Sequence, residues 1–286
     1  MLALSAFTTA HGQDFFYRVG LGYAIPQAGQ LNDGNGTPYN GTIDKTTAEV
    51  FSIKGASFSS GVVGNLALGY MFNKHIGVEA NLSAVAGKKY TFTYHNISIG
   101  GIASDLSIVD QAKTPVFFTP SLVLQTDDRD LNAYVRFGLV LPLKTNVTQD
   151  QIITNLPGKG LILTDDFTFN IKNSFSLGFA AAAGFKYRLS ERSSFFGELG
   201  FMSLSVITKT STLTAASENG VRFPLTAVTG PQVVNYSKTA VVDSSGTQQP
   251  AYALPFSNAG LQVGFSYELG QKSHGKNDLK DRRKKF

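Results

Sequence analysis

Residues 57–94 contain two long runs of strict alternation joined by a three-residue turn, and this hairpin restricts the chain more than any other segment. In 61–72, Val62, Leu66, Leu68, Tyr70 and Phe72 share one face, with Gly64 as a gap. Val63, Asn65, Ala67, Gly69 and Met71 share the other. Past 73–75 the rhythm resumes, with Val78, Ala80, Leu82, Ala84 and Ala86 set against Gly77, Glu79, Asn81 and Ser83. A period of two held for about a dozen residues per strand suits a strand that crosses hydrocarbon with one face turned to lipid.

Composition narrows the field. Charged residues are 16%, well under the usual quarter, and no run of eighteen apolar residues exists, which excludes a transmembrane helix. The segment 271–286, with Lys272, Lys276, Lys280, Arg282, Arg283, Lys284 and Lys285 against Asp278 and Asp281, accounts for the whole net charge of +5. The body is therefore balanced and has no basic surface for nucleic acid. The absence of cysteine excludes thiol catalysis, zinc–thiolate sites and disulfides. Residues 1–13 read as the end of a secretory signal or a disordered start, 14–270 as the barrel, and 271–286 as a basic tail.

Eight segments alternate well: 15–25, 58–72, 76–92, 114–126, 131–147, 168–189, 194–212 and 254–269. Three connections are short (73–75, 127–130, 190–193), and four are long (26–57, 93–113, 148–167, 213–253). Short and long alternate strictly along the chain. In an up-and-down antiparallel barrel this puts every short turn and both termini at one rim and every long loop at the other. The expected fold is thus all-β, an eight-stranded transmembrane barrel; a hairpin hidden in 26–57 or 213–253 would make ten strands. A soluble barrel needs a well-hydrated outer face, whereas here one face is Leu, Val, Phe and Ala and the other, in 174–184, is small.

Face assignment places Arg18, Glu79, Arg136, Lys186, Arg188, Glu198 and Glu268 in the lumen. Buried charges need partners, and cations and anions are nearly balanced there, so a network of ion pairs that closes the lumen is expected. Aromatic residues near the short-turn ends, Tyr17, Tyr70, Phe72, Tyr187, Phe195 and Tyr267 with Tyr134 and Phe196, define an interfacial girdle. Tyr23, Tyr90, Phe92, Tyr94 and Phe169 define a second girdle at the long-loop ends.

Catalytic chemistry is sparse. His95 with Ser98 is the only His/Ser pair at the loop rim, and its spacing matches no nucleophile motif. Asp165 and Asp166 lack a second acidic or histidine pair. Gly158-Lys159-Gly160 lacks the spacing of a phosphate loop, and 127–130 is too short for a calcium loop. No enzyme activity, cofactor or metal is expected.

The segment Gly69-Tyr70-Met71-Phe72-Asn73-Lys74-His75-Ile76-Gly77-Val78-Glu79 resembles a recurring hairpin of the small outer-membrane barrels that include the OmpA transmembrane domain and opacity-type proteins. Residues 259–269, AGLQVGFSYEL, are similar to the closing strand of that family. The resemblance implies a bacterial outer-membrane location with periplasmic termini. It also implies contact with outer-membrane lipid and lipopolysaccharide, delivery by the barrel-assembly machinery, and an extracellular ligand held by the loops. The expected role is structural and surface-interacting through four long loops. A narrow pore or hydrophobic-ligand conduit, and a rim enzyme acting on lipid A, stand as alternatives.

Overall fold

The computed structural model describes residues 14–27, 42–44, 55–99, 102–126, 130–155, 163–239 and 246–269. Residues 1–13, expected as a signal remnant or disordered start, the expected tail 271–286, most of the 127–130 turn, Gly158-Lys159-Gly160, 50–53 and the side chains of Tyr94, His95 and Ser98 lie outside the described residues.

Eight strands close into an antiparallel barrel: β1 (Asp14–Pro26), β3 (Gly61–Met71), β4 (Ile76–Gly87), β7 (Val116–Gln125), β8 (Leu131–Lys144), β11 (Gly178–Arg188), β12 (Ser193–Ser203) and β18 (Asn258–Glu268). Each pairs with its predecessor and successor among the eight, and β1 closes on β18 with Phe16 opposite Glu268. This is the up-and-down order expected, at eight strands. Their lengths of 10–14 residues suit tilted passage through a bilayer.

The long connections are not loops in the ordinary sense. A second sheet contains β2 (Thr42–Asp44), β5 (Lys89–Ile99), β6 (Ile102–Gln111), β9 (Val147–Asn155), β10 (Thr164–Asn173), β13 (Ser205–Glu218), β14 (Val221–Arg222), β15 (Val233–Ser237) and β16 (Gln248–Pro250). A short β17 (Ala253–Pro255) pairs with β13, and one 3-10 turn covers Leu225–Ala227. The central order β13-β10-β9-β6-β5 repeats the barrel order β12-β11-β8-β7-β4 beneath it. We refer to this sheet as the crown. The expected strands 76–92, 131–147, 168–189 and 194–212 are therefore each divided in two, one part in the barrel and one in the crown.

On the barrel, every outward position from Phe15 to Ile25, Val62 to Tyr70, Ile76 to Ala86, Leu131 to Leu143 and Leu261 to Leu269 is apolar, aromatic or glycine. Leu66, Leu68, Phe137, Leu139, Phe185 and Leu199 are half or more exposed. From Leu131 to Leu143 along β8, a 3.3 Å rise tilted about 40° gives an apolar band of about 30 Å, close to the hydrocarbon thickness. Gly64 lies on this outer face with open space where a side chain would stand. Gly69 faces inward, where a Cβ would run into the Phe16 ring, so glycine here makes room for that ring.

The alternation then turns over. Even-numbered residues of β4 face out (Val78, Leu82), yet even-numbered Tyr90 and Phe92 of β5 face in. The same inversion links β6 to β7, β8 to β9 and β10 to β11: Leu143 is 61% exposed while Val147 is fully buried, and Ile171 is buried while Phe175 is 75% exposed. Interruptions of one to four residues between these strand pairs rotate the chain. The reason is the change of solvent: lipid outside demands apolar residues outside, and water outside demands them inside.

The inverted residues build a core where barrel and crown meet. Phe58, Phe117 and Phe256 pack with ring centroids 5.6–6.1 Å apart, joined by Val85, Val140, Leu204 and Val206. Tyr90 meets the edge of Phe58, and its hydroxyl bonds to the backbone of Ser57 and the hydroxyl of Ser60. Tyr90 and Phe92 thus belong to this core rather than to the outer girdle assigned to them. Phe169 too sits in the crown, facing Gln149 and Leu213 across its sheet.

Candidate functional site

Two strands opposite each other in the barrel supply two carboxylates, and two others supply the guanidinium groups between them. Arg18 reaches Glu79 through Nε and Nη2 at 2.9 and 3.0 Å and Glu198 through Nη1 at 3.3 Å. Arg136 donates from Nε and Nη2 to Glu198 and lies 3.6 Å from Glu79 through Nη1. All four side chains are at most 8% exposed, which leaves little solvent to screen them. The Tyr134 hydroxyl donates to Glu198 at 2.7 Å and accepts from Arg18 at 3.1 Å. Arg18 also lies 4.7 Å over the ring of Phe196. A charged group in such surroundings is tolerable only with partners on every side, and here each has them.

The other predicted lumen residues sit nearer the short-turn rim. Lys186 donates to Gln125 at 3.2 Å and lies over the rings of Phe16 and Tyr134. Glu268 is close enough to Lys186 to interact with it. Arg188 stands at the rim end of β11, outside the Arg18–Glu79–Arg136–Glu198 cluster. Tyr134 and Phe196 belong inside, not to the girdle. Their signal was available: Tyr134 shares the parity of Arg136, and Phe196 that of Glu198. On the outer face, Tyr17 contacts Tyr267, Tyr70 contacts Phe72, Phe195 contacts Phe265, and Tyr187 is exposed.

Between the ion pairs and the junction core lies a cavity of about 60 Å³, lined by Asn81, Ser83, Thr119, Ser121, Arg136 and Gln262 among others. That volume exceeds the roughly 10–15 Å³ a single water needs, so the polar lining has room for water. The small residues Ala180, Gly200 and Gly260 line this space.

A second buried polar chain lies in the crown. Gln151 donates to Gln149 at 2.8 Å, and Gln149 donates to the Asp110 carboxylate at 2.9 Å. Burial pushes Asp110 up to about 6, against the lowering effect of the Gln149 hydrogen bond and with a further push from Asp150. Tyr252, near Asp110, meets Tyr236 edge-on at 5.4 Å. Among the described residues no group of three or more acidic or histidine side chains is arranged to hold a metal.

Taken together, the lipid-suited outer face, the paired charges within and the eight-strand closure define a class: a small up-and-down membrane-spanning β-barrel. No protein-family model matches the chain, and no curated protein matches it. Among solved structures it is similar to the outer membrane protein OprG from Pseudomonas aeruginosa, at 15% identity and TM-score 0.45, covering 92% of this chain and 98% of that one. It is similar also to outer membrane protein W of E. coli (14%, TM-score 0.37, 90% and 98%). Ail, the attachment invasion locus protein of Yersinia pestis, is a third (8%, TM-score 0.28, 91% and 100%). Nothing about ligand or activity passes to this chain from these likenesses.

Proposed function

We propose that the protein is an integral bacterial outer-membrane barrel whose lumen is closed by ion pairs and whose crown acts as a surface-interaction platform, without catalysis. The short turns and termini then face the periplasm, and the crown faces outward. One observation carries the reading: Arg18, Glu79, Arg136 and Glu198, from four barrel strands, point inward and pair, while the outward positions in the middle of the strands are apolar around the ring. Contact with outer-membrane lipid and lipopolysaccharide and delivery by the barrel-assembly machinery follow from that placement. The crown is rigid sheet with its own core, which suits presentation of a fixed surface to an extracellular ligand.

The test is conductance in planar bilayers together with protease shaving of intact cells. The reading expects no discrete conductance step and cleavage confined to the crown. A clear step altered by Glu79→Gln would replace it with a narrow pore, the alternative favoured by the polar cavity beside Arg136. For a rim enzyme acting on lipid A, mass spectrometry of lipid A from cells with and without the protein decides; an unchanged profile removes it.

A further inference from the structure

The four interruptions where the alternation turns over share a residue type. Lys88 stands between β4 and β5, Lys89 opens β5, Lys113 lies between β6 and β7, Lys144 ends β8, and Lys172 is near the end of β10. Lys209 joins them on β13, next to the position where Thr208 pairs with Asn173. All six are exposed.

Cross-strand contacts put them at one level. The Gly87 amide bonds to the Lys113 carbonyl, Val116 is opposite Lys144, Asn173 reaches the Thr145 carbonyl, and Lys172 is opposite Thr210. The band therefore runs across five consecutive strands, directly above the lipid-facing Leu143, Phe175, Leu177 and Phe179. No Asp or Glu lies within it, and among the described residues none of the six is paired with a carboxylate. Lys88 alone has a described partner, the ring of Tyr23 at 5.3 Å.

The opposite rim differs. There, among the described residues, Lys74, Arg188 and Arg192 mingle with Asp130, Glu191 and Glu268. Snorkelling alone would place cations at both interfaces. A one-sided band without anions fits a surface that is itself anionic.

We propose that this lysine band is a docking surface for phosphorylated lipid headgroups of the leaflet on the crown side. The lysine stems lie along the uppermost apolar residues, and their ammonium groups meet phosphate oxygens at the depth where acyl chains end.

The inference rests on the membrane-barrel reading and is tested with the full chain in nanodiscs. The discs contain phosphatidylcholine with about one-tenth bis-phosphorylated lipid A, or the same lipid with both phosphates removed. Native mass spectrometry counts the glycolipids that stay on the protein. Enrichment of the phosphorylated lipid over the dephosphorylated one is expected, falling about five-fold for each of K113Q, K144Q and K172Q. It should be retained in the corresponding Arg variants and unchanged in R192Q on the opposite rim.

Equal retention of the two lipids would overturn the proposal, as would an unaltered count in the triple Gln variant. Loss of the bound lipid to millimolar inorganic phosphate would reassign the band to free anions and would overturn it too. Failure of the wild-type chain to enter discs would instead strike at the membrane reading itself.

Discussion

Barrel and crown are built from one continuous alternation, yet they are inside out with respect to each other. The barrel turns Leu, Val and Phe outward and keeps Arg18, Glu79, Arg136 and Glu198 within. Directly above, the crown turns Thr91, Thr148 and Thr168 outward and keeps Phe92, Val147 and Ile171 within. The same strand chemistry serves both because the medium on the outer side changes from hydrocarbon to water. Stability is accordingly of two kinds, charge pairing in the lower half and apolar packing in the upper.

The sharpest way to break this contrast is to strike one half and measure both. Glu198→Ala takes from Arg136 both of its hydrogen bonds and from the Tyr134 hydroxyl its acceptor, leaving Arg18 held by Glu79, and is expected to cost about 3–5 kcal/mol. Denaturant unfolding in detergent, followed by loss of barrel β-signal, measures it; a cost below about 1 kcal/mol would mean the cluster holds nothing together. Phe256→Ala removes the ring at the centre of the junction core and should cost about 3–4 kcal/mol. Its effect should fall on the crown. Limited proteolysis then cuts the crown and spares the barrel, and uniform loss of both would erase the distinction.

Acid supplies a third probe. Asp110, with folded value about 6 and an ordinary value of 3.8, binds its proton more tightly in the folded crown than in the unfolded chain. Its contribution is fully present below about pH 4 and is lost as pH rises through about 6, a swing of about 2–3 kcal/mol. Crown melting should therefore be higher at pH 4.5 than at pH 7.5, and Asp110→Asn should flatten the dependence. Asp150, Gln149 and Tyr252, the groups near it, are left in place. A wild-type profile unaffected by the substitution would assign the pH response elsewhere.

The smallest effect contrasts the two faces of one strand. Gly69→Ala drives a methyl into Phe16 and should cost about 1–3 kcal/mol, whereas Gly64→Ala, on the open outer face, should stay within about 0.5 kcal/mol. Equal costs would contradict the face assignment of β3.

Much of the barrel was legible because lipid imposes a one-sided pattern long enough to count. The parity that exposes Leu68 and Tyr70 also turns Glu79 and Arg18 inward, so the charged cluster could be read residue by residue. The crown was not legible. Its alternation runs on from the barrel without a missed beat, so 76–92 reads as one strand although its apolar face reverses at Lys88 and Lys89. Thr148, Thr154 and Thr164 read as loop composition, while in the structure they lie in β9 and β10, where Thr164 stands opposite Thr154. The partners of Asp110 lie on different strands, Gln149 and Tyr252, and only the pairing of β6 with β9 brings the first of them near.

The junction core carries a consequence for assembly. Phe58, Phe117 and the Leu204–Phe256 pair come from three separate long connections, so in the membrane reading the three can meet only after those connections have emerged on the far side of the bilayer. Once joined, they form a mass that no single hairpin can withdraw through the hydrocarbon without tearing it apart and dragging Thr-rich backbone into lipid. Insertion is thereby rectified: each hairpin that crosses is knotted to its neighbours, and the route back is shut by the act of arrival.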